Sequence, residues 1–210
     1  MLCDIPFGTL YGLFARWTRL GLWRRLLNRL RRNWRRACGD SPEPSAVVID
    51  SRSCRSAPSC FDRGIDAGKK IRGVKIHVAV DKYGIPPAID VSPANRHATK
   101  GIVPVLRSLA DGGFQGARRS AISATAASGW RRPVRRSASP SRRLPAADGR
   151  FVPAGICRVV ERSFAWLSRY RRLNTVFERS KEHLIAFVAI AFISILARRL
   201  KRLVTEQLSA

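Results

Sequence analysis

Val74 to Asp81 (VKIHVAVD) alternates β-branched and polar residues, and Ile85 to Val91 resumes the apolar run after Lys82-Tyr83-Gly84. A period of two fits a strand and not a helix, and a glycine-bearing break between two such runs fits a hairpin turn. A lone hairpin is barely stable in water, so the chain must supply more strands or a covering helix. Ala46 to Ser51 (AVVIDS) is a short apolar run ending in an acid and reads as a buried strand. Arg52 to Gly73 is polar and reads as a loop. Thr99 to Leu109 has a helical pattern that Asp111-Gly112-Gly113 breaks. Residues 157–173 and 177–204 read as two helices, the second carrying an apolar stripe. Strand, hairpin, helix, gap, helix is the order of an α/β domain with helices flanking a mixed sheet. The acid closing the first strand, Asp50, sits where open α/β sheets place their chemistry.

Two regions stand outside that pattern. Residues 1–40 form a basic arm, with Leu13, Trp17, Leu20, Trp23, Leu26, Leu27 and Leu30 near helical spacing from Tyr11 to Trp34. Arginines fill its other faces, as a solvated surface, a phosphate-contacting surface or a membrane-surface face would. Residues 41–45 (SPEPS) break the helix and form a linker to a domain over 46–204. Within that domain, 117–147 is a basic low-complexity tract of Arg, Ser, Ala and Pro with no Asp or Glu. Such composition cannot bury a core, so this central part is expected to be disordered or degenerate.

Lys and Arg number 40 against 14 Asp and Glu, a formal charge of +26. That excess repels itself and calls for a polyanion, nucleic acid above all. The five cysteines form no CxxC pair, which argues against structural zinc and for reduced thiols in a cytoplasmic setting. The longest apolar run, Leu184 to Ala197, has 14 residues. A bilayer span needs about 20, so no membrane partner is expected. No charged segment followed by an apolar stretch marks a signal peptide.

On so basic a chain the acids are conspicuous. Phosphoryl transfer on nucleic acid commonly uses two divalent ions held by a few carboxylates. Mg²⁺ prefers such oxygen ligands. Asp50 at a strand end and Glu161 on a helix fit two of the roles. Taken singly, each is more often a cap, an ion-pair partner or a surface charge.

VVIDS at 47–51, DAGKKIRGVKIHVAVDKYG at 66–84, SPANRH at 92–97, ADGGF at 110–114 and VVERSFAWLSRYRRL at 159–173 resemble transposases of the IS5 group of bacterial insertion sequences. These are DDE transposases with an RNase H-like catalytic domain, and the resemblance covers roughly 46–116 and 148–204. It implies an RNase H-like mixed sheet with flanking helices, and a two-metal site of Mg²⁺, with Mn²⁺ as substitute. The substrate would be double-stranded DNA at the terminal inverted repeats, in a bacterial cytoplasm at the nucleoid. Asp50 would be the first acid and Glu161 the third. Lys75 and His77 lie in the family's Lys-x-His stretch and would contact the nucleic acid, and Arg162, Arg169 and Arg172 would hold DNA phosphates. On one continuous helix Arg172 would lie three turns beyond Glu161 and face the same groove. The oligomeric state is left open, a homodimer included.

The second acid is the weak point. Asp111 sits in a motif like the family's DGGY, which makes it the candidate for catalytic and metal-binding second acid. It precedes Glu161 by 50 residues, whereas relatives place that acid nearer forty before the glutamate. Cys157-Arg158 also stands where relatives carry Arg-Trp, and Ala98 where an acid often follows Asn-x-His. The Arg/Ser/Ala tract is what GC-rich coding DNA yields in a wrong frame. With GC-rich codons chosen for 117–146, reading two bases later can give a peptide containing GDLGYRG. Its Asp codon straddles Ala121 and Ile122, 40 residues before Glu161. The third base of each codon is chosen, so the coding DNA decides the point. The expectation is a DDE transposase, truncated or frameshifted and catalytically impaired. The alternatives are an inactive DNA-binding remnant and an RNA-associated basic protein.

Overall fold

The computed structural model describes residues 5–112, 121–123 and 157–209. The remainder of the 117–147 tract lies outside the described residues. The chain opens with α1 (Phe7–Arg19) and α2 (Leu22–Ala37), then β1 (Val47–Ser56), β2 (Gly64–Asp66), β3 (Ile71–Val80) and β4 (Ala88–Pro93). There follow α3 (Ala98–Asp111), β5 (Ala121–Ser123), α4 (Cys157–Leu167), α5 (Arg171–Asn174), β6 (Thr175–Val176) and α6 (Lys181–Leu208). This mixed α/β architecture is consistent with an RNase H-like DDE domain.

The strands form one six-stranded mixed sheet. Antiparallel pairing joins β1 to β3, with Asp50 opposite Val78, and β3 to β2 and β4. The free edge of β1 takes β5 and β6, both parallel to it. The hairpin is wider than its sequence suggests, because β4 begins only at Ala88. Pro86 and Pro87 lack the N–H that a ladder requires. Three further differences are plain. β1 runs on to Ser56, and β2 forms inside the expected loop. The tract expected to hold no regular element contributes the short strand β5.

Pairing fixes which side chains share a face. Val48, Cys54, Val74, Ile76, Val78 and Val80 point to one side, where Val160, Phe164 and Leu167 of α4 and the stripe of α6 cover them. Val47, Ile49 and Ala79 point to the other, under Val105 and Leu109 of α3. Leu184, Val188, Phe192 and Leu196 recur every fourth residue of α6 and are all fully buried. Each such side chain contributes about 1.5–3 kcal/mol of transfer free energy. Ser180 caps α6, its hydroxyl accepting from the His183 N–H at 3.2 Å. By length and composition α6 could cross a membrane, but its stripe lies in the core.

The first forty residues pack against the domain. The expected single helix is two, broken at Leu20-Gly21, where Gly21 has φ 65°. From α2, Leu27 enters the main core with Trp23, Leu30 and Trp34 beside it. The Arg35 guanidinium donates to Asp81 at 3.2 Å, both side chains almost fully buried. Burial pushes the Asp81 carboxyl above its usual range, against the pull of the Ile85 and Tyr83 N–H groups and of Arg35. Removing one member of such a pair would leave a buried charge uncompensated, so the pair fixes how α2 docks.

Candidate active site

Asp50 projects to the α4 side of the sheet, because its cross-strand partner Val78 lies in the core on that side. Two residues on, on the same face, Arg52 donates to the Phe164 carbonyl at 3.2 Å and to Asn174 Oδ1 at 3.3 Å. Arg52 therefore ties β1 to α4 and to the end of α5. Glu161 is exposed and lies one turn before Phe164 on α4. The register thus sets Asp50 and Glu161 on the same side of the sheet.

Local chemistry holds α4 at its depth. The Ser163 hydroxyl is shared between the Gly84 and Val159 carbonyls, both at 2.8 Å. Gly84, at φ 77°, has no room for a side chain, since a Cβ would meet Ser163 Oγ at 2.7 Å and the Trp166 ring at 2.9 Å. The flank of α4 away from Phe164 is closed by stacked cations. Arg162 lies 5.2 Å over Trp166, and Arg199 lies 4.4 Å over Trp166 and 5.5 Å over Trp34. Burial lowers the Arg199 pKa from its usual value, with Arg162 adding repulsion.

The other candidates are not gathered there. Lys75 and His77 alternate with the core residues of β3 and so face α3. Lys75 pairs with Asp66 at 3.3 Å and donates to the Arg96 carbonyl at 3.0 Å. Asp66 is held down to about 2, chiefly by the Ser53 hydroxyl at 2.5 Å. His77 is 1% exposed, with Nε2 2.8 Å from Ser92 Oγ. Burial drives its pKa down to about 4, although Asp90 pulls it up. At 1% exposure the imidazole is enclosed, so this geometry does not present His77 at a surface that DNA could reach.

Arg172 does not share a helix with Glu161. α4 stops at Leu167, and the turn at 168–170 is held by Tyr170 Oη donating to the Ala191 carbonyl and by Asn174 Nδ2 donating to the Ser168 carbonyl. Arg172 instead pairs with Glu178 at 2.7 Å and covers Phe187 at 4.5 Å. Arg169 is exposed in the turn. Arg52, a neighbour of Asp50, went unnoticed in the sequence. The alternation that marks Asp50 as sharing a face with Val48 marks Arg52 equally.

Asp111 closes α3 and is exposed. The body of α3 packs on the face opposite α4 through Val105 and Leu109, and Asp111 at its end lines a cleft with Arg24, Arg25 and Arg31 of α2. Among the described residues, no group of three or more His, Cys, Asp or Glu side chains is placed to hold a metal ion. The strand beside Asp50 is β5, whose Ser123 pairs with Ile49. Its three residues, Ala121-Ile122-Ser123, include no carboxylate.

Residues 41–137 match the family model described as Transposase DDE domain. The match spans β1 to β5 and contains Asp50 and Asp111, while Glu161 lies beyond it. Neither a search of the curated proteins nor one of the solved structures finds a match. A DDE domain implies DNA binding and the use of divalent metal in general. With a mixed sheet carrying an acid on its central strand, the match supports a DDE transposase.

Proposed function

We propose that this chain is an IS5-group transposase that binds double-stranded DNA at insertion-sequence ends and is catalytically impaired in the form encoded here. The observation that carries the reading is the neighbourhood of Asp50. It lies on the strand that a DDE domain uses for an acid, on the same side of the sheet as Glu161. The adjacent parallel strand, where a second acid would stand, reads Ala-Ile-Ser. Asp50 and Glu161 are the side chains that would hold Mg²⁺, or Mn²⁺ in its place. Two carboxylates do not complete a two-metal site, so no cleavage step is assigned to these residues. The frameshift reading gives the same picture a cause, because its shifted Asp codon falls across Ala121 and Ile122. The cytoplasm, at the nucleoid, is the setting this function requires.

The absence of an acid from β5 also favours a second reading, a DNA-binding remnant with no enzymatic activity. Strand-transfer assays on inverted-repeat duplexes with Mg²⁺ and Mn²⁺ separate the two. Weak Mn²⁺-dependent nicking, lost in both Asp50→Ala and Glu161→Ala, supports the impaired enzyme. Specific end binding with no nicking supports the remnant. Robust strand transfer in Mg²⁺ would overturn both, and equal affinity for random duplex would overturn end recognition.

A further inference from the structure

The arginines of α2 are placed where helix stability does not want them. Arg24 and Arg25 stand in the first turn, which has no acidic residue and no side-chain cap. Cations at a helix N-terminus oppose the macrodipole. Neither guanidinium pairs with a carboxylate among the described residues. Arg25 turns back to the Leu20 carbonyl at 2.8 Å. Both line a cleft of about 180 Å³ between α2 and α3, with Asn28 and Arg31 on the same wall and Ser108 and Asp111 facing them. Arg31 is committed to Glu43 at 2.8 Å and to the Pro42 carbonyl at 3.1 Å, and since Glu43 also pairs with Arg32 the buried Arg31 forms a floor that is only partly neutralised. The cleft is smaller than the roughly 300–1,000 Å³ of small-molecule pockets, a size for one charged group and not for a whole nucleotide.

We propose that this cleft seats a backbone phosphate of double-stranded DNA, held by Arg24 and Arg25 with Asn28 and the Ser108 hydroxyl as neutral donors. The inference rests on the DNA-binding part of the proposed function and adds a surface to it. A polymer is favoured over a free anion because the cationic row continues along α2 through Arg29 and Arg36, with Arg32 between them sharing Glu43 with Arg31. At about 1.5 Å per residue, 25 to 36 spans roughly 16 Å, the reach of several phosphates. Asp111 is the opposing charge on the wall and weakens the site.

The experiment is equilibrium binding of the full chain to a random DNA duplex across a salt series. Each phosphate contact contributes about 0.9 to the log–log salt slope. Arg24→Gln with Arg25→Gln should flatten the slope by about one and weaken binding on the order of tenfold. The charge-matched pair Arg63→Gln with Arg179→Gln should leave the slope as it is. Asp111→Asn should tighten binding by removing a like charge. Arg24 and Arg25 are exposed, so their variants keep the wild-type melting temperature. An unchanged slope in the Arg24/Arg25 variant, an equal loss in the control pair, or unchanged or weaker binding by Asp111→Asn would each overturn the cleft while leaving DNA binding in place. A wild-type chain with no affinity for duplex would overturn the DNA reading itself.

Discussion

Against one face of the sheet lie α4 and α6, with Leu184, Val188, Phe192 and Leu196 closing over four valine or isoleucine side chains of β3. Against the other lies α3, with a small apolar cluster of Val47, Ile49, Ala79, Ala88, Val105 and Leu109. The second face is also polar. His77, Ser92 and Asp90 are buried there, and Asp90 is reached by Lys181 at 2.7 Å. One face is therefore a continuous hydrophobic core with Asp50 and Glu161 at its margin. The other is a thinner layer in which polar groups must satisfy each other. Motifs adjacent in sequence divide between the two, since successive strand residues point to opposite sides.

The largest expected effect tests the thickness of these layers. Phe192→Ala should cost about 3–5 kcal/mol, read as a denaturation midpoint shift. Leu109→Ala should cost nearer 2 kcal/mol, at the low end for a buried leucine. A larger loss at Leu109 would mean that α3 carries more of the fold than its cluster suggests.

Close packing within the α3 layer gives the next effect. A Cβ on Gly101 would stand 2.1 Å from the His77 ring. Gly101→Ala should therefore cost about 1–3 kcal/mol through overpacking. Most of that should return in a background already carrying His77→Ala, read as non-additivity in a double-mutant cycle. Additive effects would show that the ring and the helix do not press on each other.

The same histidine sets a pH dependence. Its folded pKa of about 4 lies below the ordinary 6.5, so between these values the unfolded chain binds a proton that the folded chain does not. Stability from this group is full above pH 6.5 and is lost as pH falls toward 4. His77→Gln should flatten the melting temperature between pH 7 and 4. Asp66, at about 2 against an ordinary 3.8, loses its contribution only at lower pH. A variant with the wild-type slope would assign the titration elsewhere.

At the other face the smallest effect is expected. Arg172→Ala removes an ion pair whose arginine side chain is 56% exposed, a class worth about 0–1 kcal/mol. A loss well beyond 1 kcal/mol would mark the Arg172–Glu178–Phe187 contact as structural.

Local patterning made much of this legible. The β-branched runs marked β1 and the hairpin, and the apolar stripe marked α6. The stop of α4 at Leu167 was not legible, because Ser168-Arg169-Tyr170 holds no glycine or proline. That turn is held by Asn174, six residues on, and by Ala191, which lies on another helix, α6. The break at Gly21 carried a visible signal, a glycine between two apolar-periodic segments, which the longer helical pattern overrode. The docking of α2 depends on Arg35 meeting Asp81, 46 residues away, and no periodicity announces that. Among the site residues, the family motifs marked Asp50 and Glu161, whereas the expected strand-end position of Asp50 did not hold, since β1 runs six residues past it to Ser56. Asp111 fits the family motif in one dimension, but in the fold it lines a cleft with the arginines of α2, and no group of three ligand side chains forms among the described residues.

The central claim is that Asp50 and Glu161 act together while Asp111 does not join them. Mn²⁺ binding to the full chain, measured by calorimetry or by electron paramagnetic resonance of the free ion, tests it without requiring catalysis. The account predicts weak binding that Asp50→Ala and Glu161→Ala each abolish and Asp111→Asn leaves unchanged. Loss of Mn²⁺ binding in Asp111→Asn, equal to the loss in Asp50→Ala, would contradict it.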